Sequence, residues 1–234
     1  MTTSIDARLF VGLRGADLAG STAYLALVQK MGFADRLLGL RRYDFFHLDI
    51  ESEAEPEKTI EALTATLARQ STFYNRNKHM YSLECRWPGG ERVDGPSHRT
   101  LVSGFAKTPG IRAKPGTAID FNGKSEEKVS IVKASPAFLI EVFVQDDDTA
   151  GRDAIAAKLT RELTASVGHG SVKVRCPSRA TVWWLAVVAP NEEEALATAR
   201  QMTVTRRRDE GLLMNPNYQS AEFVSAGRVD TVRS

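Results

Sequence analysis

Cysteine is scarce: Cys85 and Cys176 are the only two in 234 residues. They form no CxxC and share no zinc-type spacing with a histidine, so neither a structural zinc nor, in a reducing compartment, a disulfide is expected. Histidine is almost as sparse, with His47, His79, His98 and His169 scattered along the chain. No apolar run, Thr181 to Ala189 included, approaches the roughly 20 residues of a membrane helix. Met1 to Asp6 is polar and lacks the basic and apolar regions of a signal peptide, which predicts a cytoplasmic protein. There is no Walker or dinucleotide glycine loop, no Gly-x-Ser-x-Gly and no His-Glu-x-x-His, so kinase and hydrolase chemistries lose their usual signatures. No cofactor is predicted. An excess of one charge is missing too: 31 basic against 29 acidic residues leave a formal +2, too little to make the whole molecule an electrostatic nucleic-acid binder.

What is present is a globular composition, 42% hydrophobic and 26% charged. The charge is unevenly placed: residues 7–84 hold 10 basic and 10 acidic side chains, residues 138–224 hold 10 and 12, and residues 85–137 hold 9 and 5. That basic middle also collects Pro88-Gly89-Gly90, Gly95-Pro96, Pro109-Gly110, Pro115-Gly116 and Pro136, which break any long helix. It reads as a partly ordered connector, with short strands at Thr100 to Phe105 and Lys128 to Lys133. Residues 225–234 read as a tail.

The flanks repeat one another. Each opens with an alternating strand, Leu9 to Leu13 or Leu139 to Val144, followed by Asp17-Leu18-Ala19-Gly20 or Asp148-Thr149-Ala150-Gly151 and a helix. Leu25, Val28 and Met31 in the first copy, and Ile155, Leu159 and Leu163 in the second, give each helix an apolar face, and Gly32 and Gly168 end them. Two strands follow in each: Leu38 to Arg42 and Phe45 to Ile50, then Val172 to Cys176 and Thr181 to Val188. Acidic starts at Glu55-Pro56-Glu57 and Pro190 to Glu194 open second helices. Asn75-Arg76-Asn77 and Asn215-Pro216-Asn217 then precede final strands at Met80 to Leu83 and Ser220 to Val224. The predicted fold is α+β: two βαββαβ, ferredoxin-like units, 7–84 and 138–224. Each sheet has one helix-free, alternately apolar face, and the economical cover for it is the other copy, in a pseudo-twofold intramolecular dimer.

Asp148 to Gly151, Val174-Arg175, Glu192 to Ala195 and Leu212-Leu213-Met214-Asn215-Pro216 fall in the order found in PurS, the small subunit of phosphoribosylformylglycinamidine synthase, and the second copy resembles that family. The first copy keeps Asp17 to Gly20, Gly32-Phe33, Leu40-Arg41 and Asn75, but has Arg76 for the family's proline and Phe73-Tyr74 for its paired leucines. The resemblance implies a non-catalytic subunit bridging a PurL-like, ATP-using synthetase and a PurQ-like glutaminase in purine biosynthesis, or in a paralogous amidation complex, with homo-oligomers also possible. PurS subunits carry a single copy and dimerise, whereas this chain carries two.

Candidate contacts for a ligand or partner are Arg41, Arg42, Asn75, Asn77, Lys78, His79, Arg175, Asn215 and Asn217. The arginines with Lys78 and His79 suit an anion, although charged sheet edges are ordinary. The asparagines suit tight reversals just as well, because their side chains bond their own backbone. His47 and His79 have the chance to approach one another. Cys176, beside Arg175 and Arg179, has neighbours that lower a thiol pKa, but no base completes a catalytic pair. Arg206-Arg207-Arg208 fits the end of the last helix, where cations complement the dipole. Trp183 and Trp184 point to opposite strand faces. An alternative to the subunit reading is a stand-alone enzyme or small-anion-binding protein with a cleft between the copies. Nucleic-acid binding ranks last, for want of aromatics among the basic residues.

Overall fold

The computed structural model describes residues 2–69, 73–75, 77–98, 100–101, 136–168, 170–207 and 211–229. Seven strands are hydrogen-bonded in the order β4-β3-β1-β2-β6-β5-β7. They are β1 (Thr3–Leu13), β2 (Leu37–Ser52), β3 (His79–Trp87), β4 (Gly90–Asp94), β5 (Ala137–Asp146), β6 (Val172–Val188) and β7 (Gln219–Val229). Four α-helices accompany them among the described residues: α1 (Leu18–Leu25), α2 (Pro56–Arg69), α3 (Thr149–Val167) and α4 (Glu192–Thr203). The chain is therefore α+β, as its periodicities predict.

The largest departure from expectation lies in the paired middle strands, each of which is one uninterrupted strand. β2 runs through Tyr43-Asp44 and β6 through Pro177-Ser178 without reversing. Tyr43 and its neighbour Phe45 favour extended backbone, and nothing near them supplies the positive φ of a two-residue hairpin. Pro177 lies within β6, which stays extended through it.

Contacts divide the chain into two units, each of which draws on both sequence copies. The first comprises residues up to Ala16, Tyr43–Leu101 and Gln145–Thr181. It holds β4, β3, β1, the second half of β2 and the first half of β6, with α2 and α3 side by side. Its core is Ile5, Ala7, Leu9 and Val11 of β1, Phe46, Leu48 and Ile50 of β2, Ile60, Leu63 and Leu67 of α2, Leu159 and Leu163 of α3, and Val172, Val174 and Cys176 of β6. β1 pairs antiparallel with β2 (Ile5 opposite Ile50, Leu9 opposite Phe46) and with β3 (Leu9 opposite Leu83). The period of two puts all these side chains on the helix-bearing face.

The opposite face of this unit is not apolar, contrary to the alternation expected. It carries Asp6, Arg8, His47, Asp49, Glu51 and Arg175, tied by contacts of His47 Nε2 with Asp6 (3.0 Å) and Asp49 (3.5 Å), Arg8 with Asp6 (3.3 Å) and Arg175 with Glu51 (3.3 Å). Such a face is at home in water and needs no covering layer. Only its Phe10 and Phe45 end is buried, where His98 stacks on Phe10 at 4.7 Å between ring centroids.

The second unit comprises Asp17–Arg42, Val102–Val144 and Val182–Ser234. It has β7, β5, the second half of β6 and the first half of β2 in hydrogen-bonded order, with α1 and α4. Leu37, Leu40, Phe138, Ile140, Val142, Trp183, Leu185 and Val187 meet Ala23 of α1, Leu27 just after it, and Ala195, Ala199 and Met202 of α4. Here the other face is apolar and buried, through Leu139, Val182, Trp184 and Ala186, so both tryptophans are interior. The inward residues are Ala23 of α1 and Leu27 of the turn that follows it, rather than Leu25, which is 48% exposed. A π turn over Ala26–Lys30 rotates the face, five residues to the bond instead of four.

The stretch from residue 85 begins as structure. β3 continues to Trp87, turns through Pro88 and Gly89 (φ 101°) and returns as β4. Thr100 and Leu101 are helical, not extended, and the rest of that predicted strand and all of Lys128 to Lys133 lie outside the described residues. Residues 225–229, part of the predicted tail, extend β7. Helix α4 stops at Thr203, three residues before Arg206, so Arg206 and Arg207 lie beyond its end. Instead the chain returns over its C-terminal end: Leu212 N–H donates to Met202 O, and Leu213 and Met214 N–H to Thr203 O, each at 3.0 Å. That return exposes Leu212 (41%) and buries Leu213 (8%), where burial of both is expected from sequence. Leu213→Ala should accordingly cost about 2 to 5 kcal/mol and Leu212→Ala well under about 1 kcal/mol, a difference that urea denaturation of the two variants resolves.

Candidate functional site

The two asparagine turns are built alike. In the first, Asn77 N–H donates to Asn75 Oδ1 (2.9 Å), Lys78 and His79 N–H donate to Asn75 O (2.9 and 2.8 Å), and Asn75 N–H donates to His79 Nδ1 (2.9 Å). In the second, Asn217 N–H donates to Asn215 Oδ1 (3.0 Å), Tyr218 and Gln219 N–H donate to Asn215 O (3.1 and 3.0 Å), and Asn215 N–H donates to Gln219 Oε1 (2.9 Å). Asn75 and Asn215 therefore spend their side-chain oxygens on backbone, as the turn chemistry predicts. His79 serves the turn rather than a ligand: its Nδ1 accepts from Asn75, and its carbonyl accepts Arg14 Nε at 2.7 Å. His47 sits opposite Arg8 and His79 opposite Leu13 along β1, five rows apart, so the two imidazoles do not meet.

The Asp-x-x-Gly motifs are equally local. Asp17 caps α1 by accepting from Ala19 N–H (3.1 Å), and Asp148 caps α3 by accepting from Gly151 N–H (2.9 Å). A Cβ at Gly20 or Gly151 would meet the capping carboxylate itself, which would have to shift. Each cap is paired with a strand arginine, Arg42 with Asp17 at 3.4 Å and Arg179 with Asp148 at 3.7 Å. Arg42 and Arg179 thus occupy matching places, while Arg175 pairs with Glu51 and Asp49.

Of the predicted site residues, Asn75, Asn77, Lys78, His79 and Arg175 belong to the first unit, and Arg41, Arg42, Asn215 and Asn217 to the second. Lys78 and His79 share one turn; Arg175 stands on the ionic sheet face, and Arg41 is half-buried. His169, Arg76 and Arg208 lie outside the described residues.

Cys176 is not activated. Burial pushes its thiol up to about 11, and the Arg152 and Arg179 guanidiniums offset this only in part. Cys85 is pushed up to about 12 by burial, with Arg92 opposing. Both are free and buried.

A cavity of about 110 Å³ does open in the first unit, lined by Asp44, Asp146, Asp148, Arg152, Arg179, Ala180 and Thr181. Sequence reasoning missed it as a site, although Asp148 and Arg179 drew notice for other reasons. The available signal was the mismatch between copies: Arg152 stands where the first copy has Ser21, counting from the paired caps, and Ala180 where it has Tyr43, counting from the paired arginines. Among the described residues no three carboxylate, imidazole or thiol groups converge on a metal position, and no helix is long and apolar enough to cross a membrane.

No protein-family model, curated protein or solved structure matches the chain.

Two outcomes test these assignments. His79→Gln, which installs the side chain that works at position 219, should leave stability within about 0.5 kcal/mol, whereas His79→Ala should cost about 1 kcal/mol by leaving the Asn75 N–H unpaired; thermal and urea melts of both variants measure this. The raised thiols contribute stability that is fully present below their ordinary value of 9.0 and is lost as pH rises toward 11 and 12, because only the unfolded chain ionises freely in that window. Stability should therefore fall more steeply above pH 9 in the native chain than in a Cys85→Ala/Cys176→Ala variant, as read by denaturation across the alkaline range.

Proposed function

We propose that the chain is a PurS-like accessory subunit that bridges an ATP-dependent synthetase and a glutaminase, in formylglycinamidine ribonucleotide synthesis or a paralogous amidation. The observation that carries the reading is the composition of the two units. Each contains four strands in the ferredoxin-like order 4-1-3-2, namely β3-β1-β2-β6 in one and β7-β5-β6-β2 in the other, with two helices. The first helix and the adjoining half-strand of each unit come from the opposite sequence copy. A single-copy subunit that dimerises by exchanging those elements, then fused in tandem, accounts for the arrangement. The twin asparagine turns and twin capped helices support the common origin of the copies.

Buried, poorly ionised thiols and histidines spent on a turn, a stack and a surface ion cluster favour a scaffold over a catalyst. In that role the chain works by positioning partners, and the folded unit itself is the active part. The test is reconstitution with a PurL-like synthetase and a PurQ-like glutaminase. Glutamine-dependent amidation that requires this chain, together with its co-elution with both enzymes, is the expected result. Full glutamine-dependent activity without it, or separate elution from both, overturns the reading.

A further inference from the structure

We infer that the outer edge of β7 takes an extended acidic segment of a partner protein as an added strand, with carboxylates on alternate residues meeting Arg200 and Arg228. The inference is independent of the bridging role.

The first argument is a comparison of the two units. β3 and β7 hold the same place, one outside β1 and the other outside β5, and each follows an asparagine turn. In the first unit the outer edge of β3 is filled: β4 pairs with it antiparallel, Cys85 opposite Arg92 and Leu83 opposite Asp94. In the second unit β7 ends the hydrogen-bonded order among the described residues. Backbone groups along such an edge are a template for one more strand. The usual deterrents are missing, since Gln219–Ala226 contains no proline or lysine and a single charge, Glu222. Gly227, the one residue of β7 in the left-handed region (φ 95°), lies beyond that stretch. Side chains along the strand alternate between half-buried and exposed, and Val224 is 39% exposed.

The second argument is charge. The strand added to the first unit is tied to its helix layer by Arg92, which pairs with Glu61 of α2 at 3.7 Å. In the second unit the sign is reversed. Arg200 of α4 lies over the Phe223 ring of β7, 5.5 Å from its centre, and Arg228 of β7 lies over the Phe138 ring of β5 at 5.9 Å. Both rings pack into the core beneath the helices, so both guanidiniums stand on that face. Arg206 and Arg207 follow, exposed, just past α4. Among the described residues none of these four has a carboxylate partner, whereas Arg42, Arg92 and Arg179 each have one. A guanidinium laid on a ring uses its face and keeps its in-plane N–H donors for an acceptor. Glu222, next to Phe223, belongs to the opposite face, so carboxylates on alternate residues of the added strand reach the arginines without meeting it.

The third argument decides between anions. Nucleic acid also suits arginines, but its bases need free ring faces to stack on. Phe138 is buried and Phe223 half-buried, and each already lies under a guanidinium. A strand edge presents N–H and C=O groups in alternation, which a peptide backbone answers and a phosphate backbone does not.

The test is anisotropy titration of the full chain, alone, with a fluorescent peptide of alternating glutamate and threonine, about eight residues long as a typical strand is. Its lysine-for-glutamate analogue and an oligothymidylate of similar length are the comparisons. The glutamate peptide should saturate one site, and the lysine peptide should not bind. Arg200→Gln and Arg228→Gln should each weaken binding about threefold to fivefold, the scale of an exposed ion pair, at an unchanged melting temperature. Hydrogen exchange should show the amides of residues 219–226 slowed by the glutamate peptide. No saturable binding overturns the proposal. So does binding that the Arg200→Gln/Arg228→Gln double variant leaves intact, or that the lysine peptide matches, or that adds no protection in β7. Oligothymidylate binding at least as tight overturns it too, by making the edge a nucleic-acid surface. Because no synthetase or glutaminase is present, these results are separable from the fate of the bridging reading.

Discussion

A strand that reaches a pair of turn-forming residues can fold back as a hairpin; β2 reaches Tyr43-Asp44, β6 reaches Pro177-Ser178, and both go straight on. The rest of the architecture depends on that continuity. A hairpin at either place would return the chain to its own first strand and let each sequence copy close its own core. Extended, the strand delivers its second half, and the helix after it, to a different set of partners. Leu159 and Leu163 of the second copy thus pack with Ile60 and Leu63 of the first, and Ala23 and Leu27 of the first pack with Ala199 and Met202 of the second. Each fully buried leucine contributes about 1.5 to 3 kcal/mol, so neither core retains much if one copy is withdrawn. Folding of the two copies is coupled through side chains as well as through the chain.

This continuity also explains which parts of the fold were legible in the sequence. Signals set by a residue and its near neighbours were readable: Asp17 and Asp148 as caps, Gly32 and Gly168 (φ 75° and 78°) as helix ends, the Asn turns as reversals, and the alternation of Phe46, Leu48 and Ile50 against His47 and Asp49. Those features depend on backbone chemistry within about four residues. Whether Tyr43 or Pro177 turns or continues depends on the strands alongside, which periodicity does not encode. The same limit applies to the π turn at Ala26–Lys30, which moved exposure onto Leu25, and to Leu212, whose exposure is decided by the return of residues 211–214 over α4.

For the candidate site the division runs the other way. Residues singled out for their chemistry, the asparagines and His79, turned out to be occupied by the backbone of their own turns. Cys176 has arginine neighbours, but in a closely packed core the loss of water around a thiolate outweighs guanidiniums that lie at the surface. The cavity residues, by contrast, come from three separate stretches of sequence, and only the tertiary structure brings Asp44 and Arg152 to one cavity.

The comparison of the two copies separates what the fold needs from what it does not. Where both have the same residue, at Asp17 and Asp148, Gly20 and Gly151, Asn75 and Asn215, a backbone requirement is visible at each. At the turn partner the requirement is for an acceptor alone, and His79 and Gln219 meet it with different chemistry. Arg152 and Ser21 lie under no such constraint, since either is compatible with a capped helix, and Ala180 and Tyr43 are both compatible with a strand. Positions of that kind are free to differ without disturbing the scaffold. The cavity lies at those positions in the second copy, while in the first Tyr43 is buried with its ring against Gly12, in the space that a Cβ there would take.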